Sequence, residues 1–134
     1  MKTSISTSAI DFAFRQFDTP AGSLYVVMRH GGKRRFLSRS AALNNLAHYM
    51  VSKVFRRAGI PTNEPYEPVF HNGTLAHRVG DHTSDYLYAH QRCVRRLRRI
   101  LARKREQQRW LSKWESMHNR FVKERDELQA NKPF

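Results

Sequence analysis

Between Gly80 and Pro133 the chain contains neither glycine nor proline, and nothing else in the sequence constrains the fold as strongly. Glycine weakens a helix through backbone entropy, and proline breaks it through its missing N–H. Ser84 to Gln129 is therefore expected to be one uninterrupted helix, capped by Thr83 or Ser84, with Asp85 well placed in its first turn. At 1.5 Å per residue it would span roughly 69 Å, about twice the width of a domain of this size. Such a helix has to project, bend or pack along a partner.

The charge on that helix is divided unevenly. Arg92, Arg95, Arg96, Arg98, Arg99, Arg103, Lys104 and Arg105 fall in its first half with no acidic residue among them. From Glu106 to Gln129, five basic residues face five acidic ones. Arg92, Arg96, Arg99 and Arg103 step by four, three and four residues, which sets them along one side of a helix. One residue ahead of them runs an apolar seam, Cys93, Leu97 and Ile100, then Leu111, Trp114 and Phe121, interrupted by the polar interval Lys104 to Arg109. This is a coiled-coil-like seam without its middle.

The whole chain carries a formal charge of +14 over 134 residues, with 18 Arg against 7 Lys. Guanidinium groups grip phosphates bidentately and stack on bases, so clustered arginine points to DNA or RNA as the partner. If about five to seven phosphates were neutralised, log affinity would fall against log salt with a slope of roughly −4 to −6. Two such helices in parallel would bring like charges together, and an antiparallel pair of chains would be better tolerated. A homodimer through the long helix is thus a further candidate assembly.

The rest of the chain predicts an α+β fold: a small antiparallel hairpin or sheet with a packed helix, then a connector, then the long helix. Residues 1–58 form the small α+β unit, 59–83 the Pro-containing connector and 84–134 the basic, amphipathic helix. Ile10, Phe12 and Phe14 alternate with Asp11 and Ala13, the period of a half-buried strand. Ser23 to Arg29 is the strongest strand pattern, and His30-Gly31-Gly32-Lys33 reads as a tight turn before a shorter strand, Arg34 to Leu37. Lys33, Arg34 and Arg35 make this hairpin tip a second basic cluster and a second candidate phosphate contact. Ser38 or Ser40 can cap the next helix, whose stripe Leu43, Leu46, Met50 and Val54 should pack on the hairpin. Asn45 is expected to face solvent. Gly59 and Pro61 end that helix. Three prolines (Pro61, Pro65 and Pro68) and the Asn72-Gly73 turn mark the connector, which is expected to pack back through Tyr66, Val69, Phe70 and Leu75.

Just after the basic hairpin, Arg39-Ser40-Ala41-Ala42-Leu43-Asn44 opens a helix. This stretch resembles the corresponding region of the Gam-type host-nuclease inhibitors of phage lambda, and the layout of strand, basic turn, strand and helix is similar to that of small phage accessory proteins. The resemblance covers about a tenth of the chain. It implies an accessory protein of a phage or mobile element. The inhibitor family occupies a nuclease's DNA channel with an acidic surface, so the basic charge of this chain departs from that mechanism, and no functional residue is carried over.

There is no phosphate-binding glycine loop or nucleophile elbow, and no paired-carboxylate cluster outside the terminal helix, where Glu124, Asp126 and Glu127 read as solvating charges; an enzyme is not expected. Seven histidines invite a metal, yet their spacings match no zinc motif. His90 with Cys93, and His82 with Asp85, stand at i, i+3, but neither pair completes a metal site. Neither metal nor cofactor is expected. One cysteine, Cys93, suits a reducing compartment. The polar opening from Met1 to Ser8 lacks the apolar core of a leader, and the longest apolar run, Leu24 to Met28, is too short to cross a bilayer. A cytoplasmic protein without membrane contact is expected. Two functional readings remain open. One is a non-enzymatic nucleic-acid-binding accessory protein using the arginine helix and the hairpin tip. The other is a protein-interaction module that inhibits or adapts a host nucleic-acid enzyme, anchored by Trp110, Leu111, Trp114, Met117 and Phe121.

Overall fold

The computed structural model describes residues 7–134; the residues read above for the absence of a leader, 1–6, lie outside it. Its described residues are α+β, in the order α1 (Ala9–Ala13), β1 (Phe14–Thr19), β2 (Gly22–Arg29), β3 (Gly32–Phe36), α2 (Arg39–Ala58), β4 (Glu67–His71), β5 (Thr74–Arg78) and α3 (Ser84–Ala130). Ser8–Arg98 form one compact unit, and Arg99–Phe134 belong to another.

In the Ser8–Arg98 unit, β1, β2 and β3 make an antiparallel sheet with β2 in the centre. The turn after β2 has φ of 50° at His30 and 82° at Gly31. Positive φ at both central residues matches the right-handed strand twist, and Gly31 adopts it without a Cβ penalty. Arg29 then pairs directly with Gly32, and Val27 pairs with Phe14 on one side and Arg34 on the other. Val27 is 0 % exposed. Beside it, an added Cβ at Gly32 would fall within 2.5 to 2.9 Å of ring carbons of Tyr49. The sheet face bearing Val27 and Gly32 is therefore the one α2 covers.

Helix α2 begins where Ser38 Oγ accepts from the Ala41 amide at 3.4 Å and ends at Gly59, in the left-handed region at φ 71°. Ala42, Leu43, Leu46 and Ala47 are buried. Removing such aliphatic side chains from water stabilises the unit by about 1.5–3 kcal/mol for each leucine. Val54, expected in the packed stripe, is exposed, and Val51 and Phe55 are buried in its place. Val51 and Phe55 are buried because Tyr86 of α3 packs on them. Asn45 is half-buried with its Oδ1 unpartnered, whereas Asn44 is the exposed one.

The strand expected at Ile10 to Phe14 is instead α1, with β1 starting at Phe14. Asp11 reaches back to accept from the Ser8 amide at 2.7 Å, and the Asp11 amide donates to the Ser8 carbonyl at 3.0 Å. This reciprocal cap overrides the period-two pattern, and it buries Ile10 and Ala13.

The expected connector contains a hairpin, β4 paired with β5 from Glu67 opposite Arg78 to His71 opposite Thr74. Asn72 and Gly73, at φ 52° and 78°, form its turn. Tyr66, Val69, Phe70 and Leu75 do not pack back; all are exposed, Phe70 by 80 %. The excursion is closed at its base. The Glu64 amide donates to the Asp81 carbonyl at 2.8 Å, the Thr83 amide to the Thr62 carbonyl at 2.9 Å, and Asn63 Nδ2 to the Gly80 carbonyl at 2.9 Å. At Gly80 an added Cβ would lie 2.8 Å from the Pro65 carbonyl oxygen and closer still to the Glu64 backbone. Backbone cannot step aside as a side chain can, so Gly80→Ala should destabilise the protein by about 1–3 kcal/mol. A lowered thermal midpoint for Gly80→Ala, against no change for a substitution at exposed Tyr66, checks this.

Candidate nucleic-acid interface

The first turns of α3, within the Ser8–Arg98 unit, are set on α2 by a buried ring. Thr83 Oγ1 accepts from the Tyr86 amide at 3.2 Å, capping the helix. Tyr86 is 3 % exposed and packs with Val51 and Phe55, its ring edge-on to Phe55 with centroids 6.2 Å apart. A buried phenol needs a hydrogen-bond partner, and the Tyr86 hydroxyl has one in His48 Nδ1 at 2.5 Å. Ser52 Oγ lies 3.4 Å from the same nitrogen.

Two more histidines complete the cluster. His82 stacks on Tyr86 with centroids 4.2 Å apart, and His90 with centroids 5.7 Å apart. His90 Nε2 lies 2.8 Å from the Asn44 carbonyl. That oxygen can only accept, so Nε2 carries the proton. Cys93 packs against this core with its Sγ 4.0 Å from Met50 Sδ. Burial pushes its thiol pKa up, with Arg96 acting in the opposite sense, so the thiol is held protonated. His90 and Cys93 thus engage separate partners on α2, and no group of three metal-ligating side chains converges among the described residues.

Tyr86, His90, Cys93 and Leu97 step by four, three and four residues along the inward side of α3. That spacing forces Arg92, Arg95, Arg96 and Arg98 outward, and all four are exposed. Arg92 lies 5.7 Å over the Tyr88 ring. None of the four has a carboxylate partner among the described residues. In the Arg99–Phe134 unit, Arg99, Arg103 and Arg105 are likewise exposed and without such a partner, and Lys104 is half-buried.

The hairpin tip holds the second basic group. Lys33, Arg34 and Arg35 are all exposed, but strand alternation divides them. Arg34 lies on the Val27 face, 5.4 Å over the Phe36 ring, while Lys33 and Arg35 lie on the other face. The imidazole of His30 is held below its ordinary pKa of 6.5 by desolvation and then by Arg29, Lys53 and Arg57. Lys53 and Arg57 of α2 therefore belong to this positive region, although the sequence reading did not include them. Their spacing of four on α2, on a helix without an acidic residue, was the available signal.

In the Arg99–Phe134 unit Trp110 stacks on Trp114 at 5.9 Å with planes 6° apart, and Trp114 on His118 at 6.5 Å. Trp110, Trp114, Met117 and Phe121 are exposed, whereas Leu111 is only 7 % exposed and is not part of that row. No helix among the described residues is long and apolar enough to cross a membrane. Compared with protein-family models, characterised proteins and solved structures, the chain matches none.

The Tyr86–His48 contact has a pH consequence. Burial, and then the neighbouring His82 and His90, hold His48 below its ordinary pKa of 6.5. As pH falls below about 6.5 the unfolded chain takes up this proton and the folded chain resists it. Stability present above that pH is thus lost progressively on acidification towards the folded-state pKa. The thermal midpoint should fall from pH 7.5 to 5.5 in the wild type and fall less steeply in His48→Gln, which keeps an acceptor for Tyr86. Equal pH dependence in both would exclude His48 as the source.

Proposed function

We propose that this chain is a non-enzymatic nucleic-acid-binding accessory protein of a phage or mobile element, acting in the cytoplasm. It contacts phosphates through Arg92, Arg95, Arg96, Arg98, Arg99, Arg103, Lys104 and Arg105, helped by Lys33, Arg34 and Arg35. One observation carries this reading: seven arginines of α3 are exposed with no carboxylate partner among the described residues. A solvated helix of ordinary composition interleaves acidic residues that offset its own repulsion. Here the missing counter-charge is what a polyanion supplies. Phosphate contacts of this type position a protein without reading bases, so DNA and RNA both suit the chemistry.

The exposed stack of Trp110, Trp114 and His118 favours a second contact of a different kind. Exposed aromatic side chains commonly carry interface energy, and this row, with Met117 and Phe121, suits either a host nucleic-acid enzyme or a second copy of the chain. In this reading the protein inhibits or adapts that enzyme.

The two readings separate in one experiment. Nuclease-treated protein should shift a duplex or RNA probe at moderate salt. Replacing Arg95, Arg96, Arg98 and Arg99 with Ala should weaken binding and make the slope of log affinity against log salt less negative by about three. Equal affinity and slope in the variant would remove the phosphate-contact reading. Absence of any shift, with one specific protein retained on the immobilised chain and lost in Trp110→Ala/Trp114→Ala, would favour the interaction module.

A further inference from the structure

The sheet has a second face, opposite α2, to which Lys33 and Arg35 of the hairpin tip belong. Opposite the face covered by α2, the registers place Arg15, Val26 and Arg35 in one row across β1, β2 and β3. Phe17 pairs with Leu24 on one side of that row, and Met28 with Lys33 on the other. Arg15, Phe17, Met28, Lys33 and Arg35 are exposed, and Leu24 and Val26, on the central strand, are half-buried. Strand alternation places no carboxylate on this face. Asp18 falls on the other one, where its Oδ1 accepts from Ser23 Oγ at 3.4 Å.

Each part of the face has a chemical preference. Phe17 is 48 % exposed, with an apolar floor of Leu24 and Val26 beside it. Phe12, 58 % exposed, sits under the Arg15 guanidinium at 5.9 Å. Three cations therefore flank an apolar strip that carries the open ring of Phe17, with Phe12 beneath Arg15 beside it. A duplex presents its phosphates outward and hides its base faces, so it would leave Phe17 unused. A single strand offers both a chain of phosphates and unstacked bases, and sheets that bind it use open aromatics beside cations.

We propose that this outer sheet face binds a single-stranded segment of DNA or RNA. A base stacks on Phe17, and phosphates lie against Arg15, Lys33 and Arg35. The occupant follows from charge complementarity: a face with three cations and no carboxylate suits a polyanion, and the exposed Phe17 ring selects a polyanion with aromatic faces. An acidic protein segment would meet the cations and leave that ring without a stacking partner. The inference rests on the nucleic-acid reading above and assigns it a strand type and a second surface, separate from the arginines of α3.

The test uses the full chain, with a labelled oligothymidine and a labelled hairpin duplex followed by fluorescence anisotropy. Phe17→Ala should lower oligothymidine affinity by about tenfold, and Phe17→Tyr should retain it. Arg15→Ala should also lower it, and neither Phe17→Ala nor Arg15→Ala should change duplex affinity. Both positions are exposed, and thermal melts of each variant verify folding; the Tyr and arginine variants keep the question decidable if Phe17→Ala melts early. Wild-type-like oligothymidine binding by the folded variants overturns this proposal and leaves the α3 reading intact, as does a wild type that binds duplex alone. A wild type that binds neither probe overturns both. Polyglutamate displacing the strand as well as unlabelled oligothymidine overturns the proposal in favour of an acidic protein segment.

Discussion

The buried Tyr86 ring is the contact on which the arrangement of the Ser8–Arg98 unit depends. It brings the start of α3 onto α2, packing with Val51 and Phe55 and bonding His48. Helical geometry does the rest. Once Tyr86, His90, Cys93 and Leu97 face inward, Arg92, Arg95, Arg96 and Arg98 have only solvent to face. The base of the β4–β5 hairpin delivers the chain to this point, since Thr83, which caps α3, also donates its amide to the Thr62 carbonyl. The basic surface is thus a by-product of how a tyrosine is satisfied.

Electrostatics supply the complementary constraint. Placing so many guanidinium groups along one helix is unfavourable in isolation, because like charges at spacings of three and four repel. The repulsion is relieved by salt or by a polyanion. A chain of this composition tolerates that cost on a surface helix because the buried residues of the Ser8–Arg98 unit, among them Val27, Leu43 and Leu46, supply stability independently of the charged face. Stability and binding are therefore carried by different residues, and substitutions in the arginine run should affect one without the other.

Much of this organisation was legible in the sequence, and the exceptions have physical causes. The long helix, the Ser38 cap and Gly59 stop of α2, the strand of β2 and the α+β class all follow from local signals that no distant contact opposes. The segment Ile10 to Phe14 misled because its alternation is also compatible with a helical turn, and the Ser8–Asp11 cap decides between them. Strands β4 and β5 were obscured by Pro65 and Pro68, although Asn72-Gly73 between two β-rich runs is a strong hairpin signal. The Tyr86–His48 pair was not legible. Its partners are 38 residues apart, and nothing local marks either as buried. The burial of Leu111 beside exposed Trp110 is likewise invisible to a period count, which assigns both to one amphipathic helix.

The central claim, that the unpaired arginines of α3 are matched by a polyanion, is tested most directly by what accompanies the protein when it is purified at low salt without nuclease. The account predicts co-purifying nucleic acid, seen as excess absorbance at 260 nm relative to 280 nm, that is lost on washing at high salt and reduced when Arg95, Arg96, Arg98 and Arg99 are replaced by Ala. Protein recovered free of nucleic acid at low salt, with the variant indistinguishable from the wild type, would contradict it.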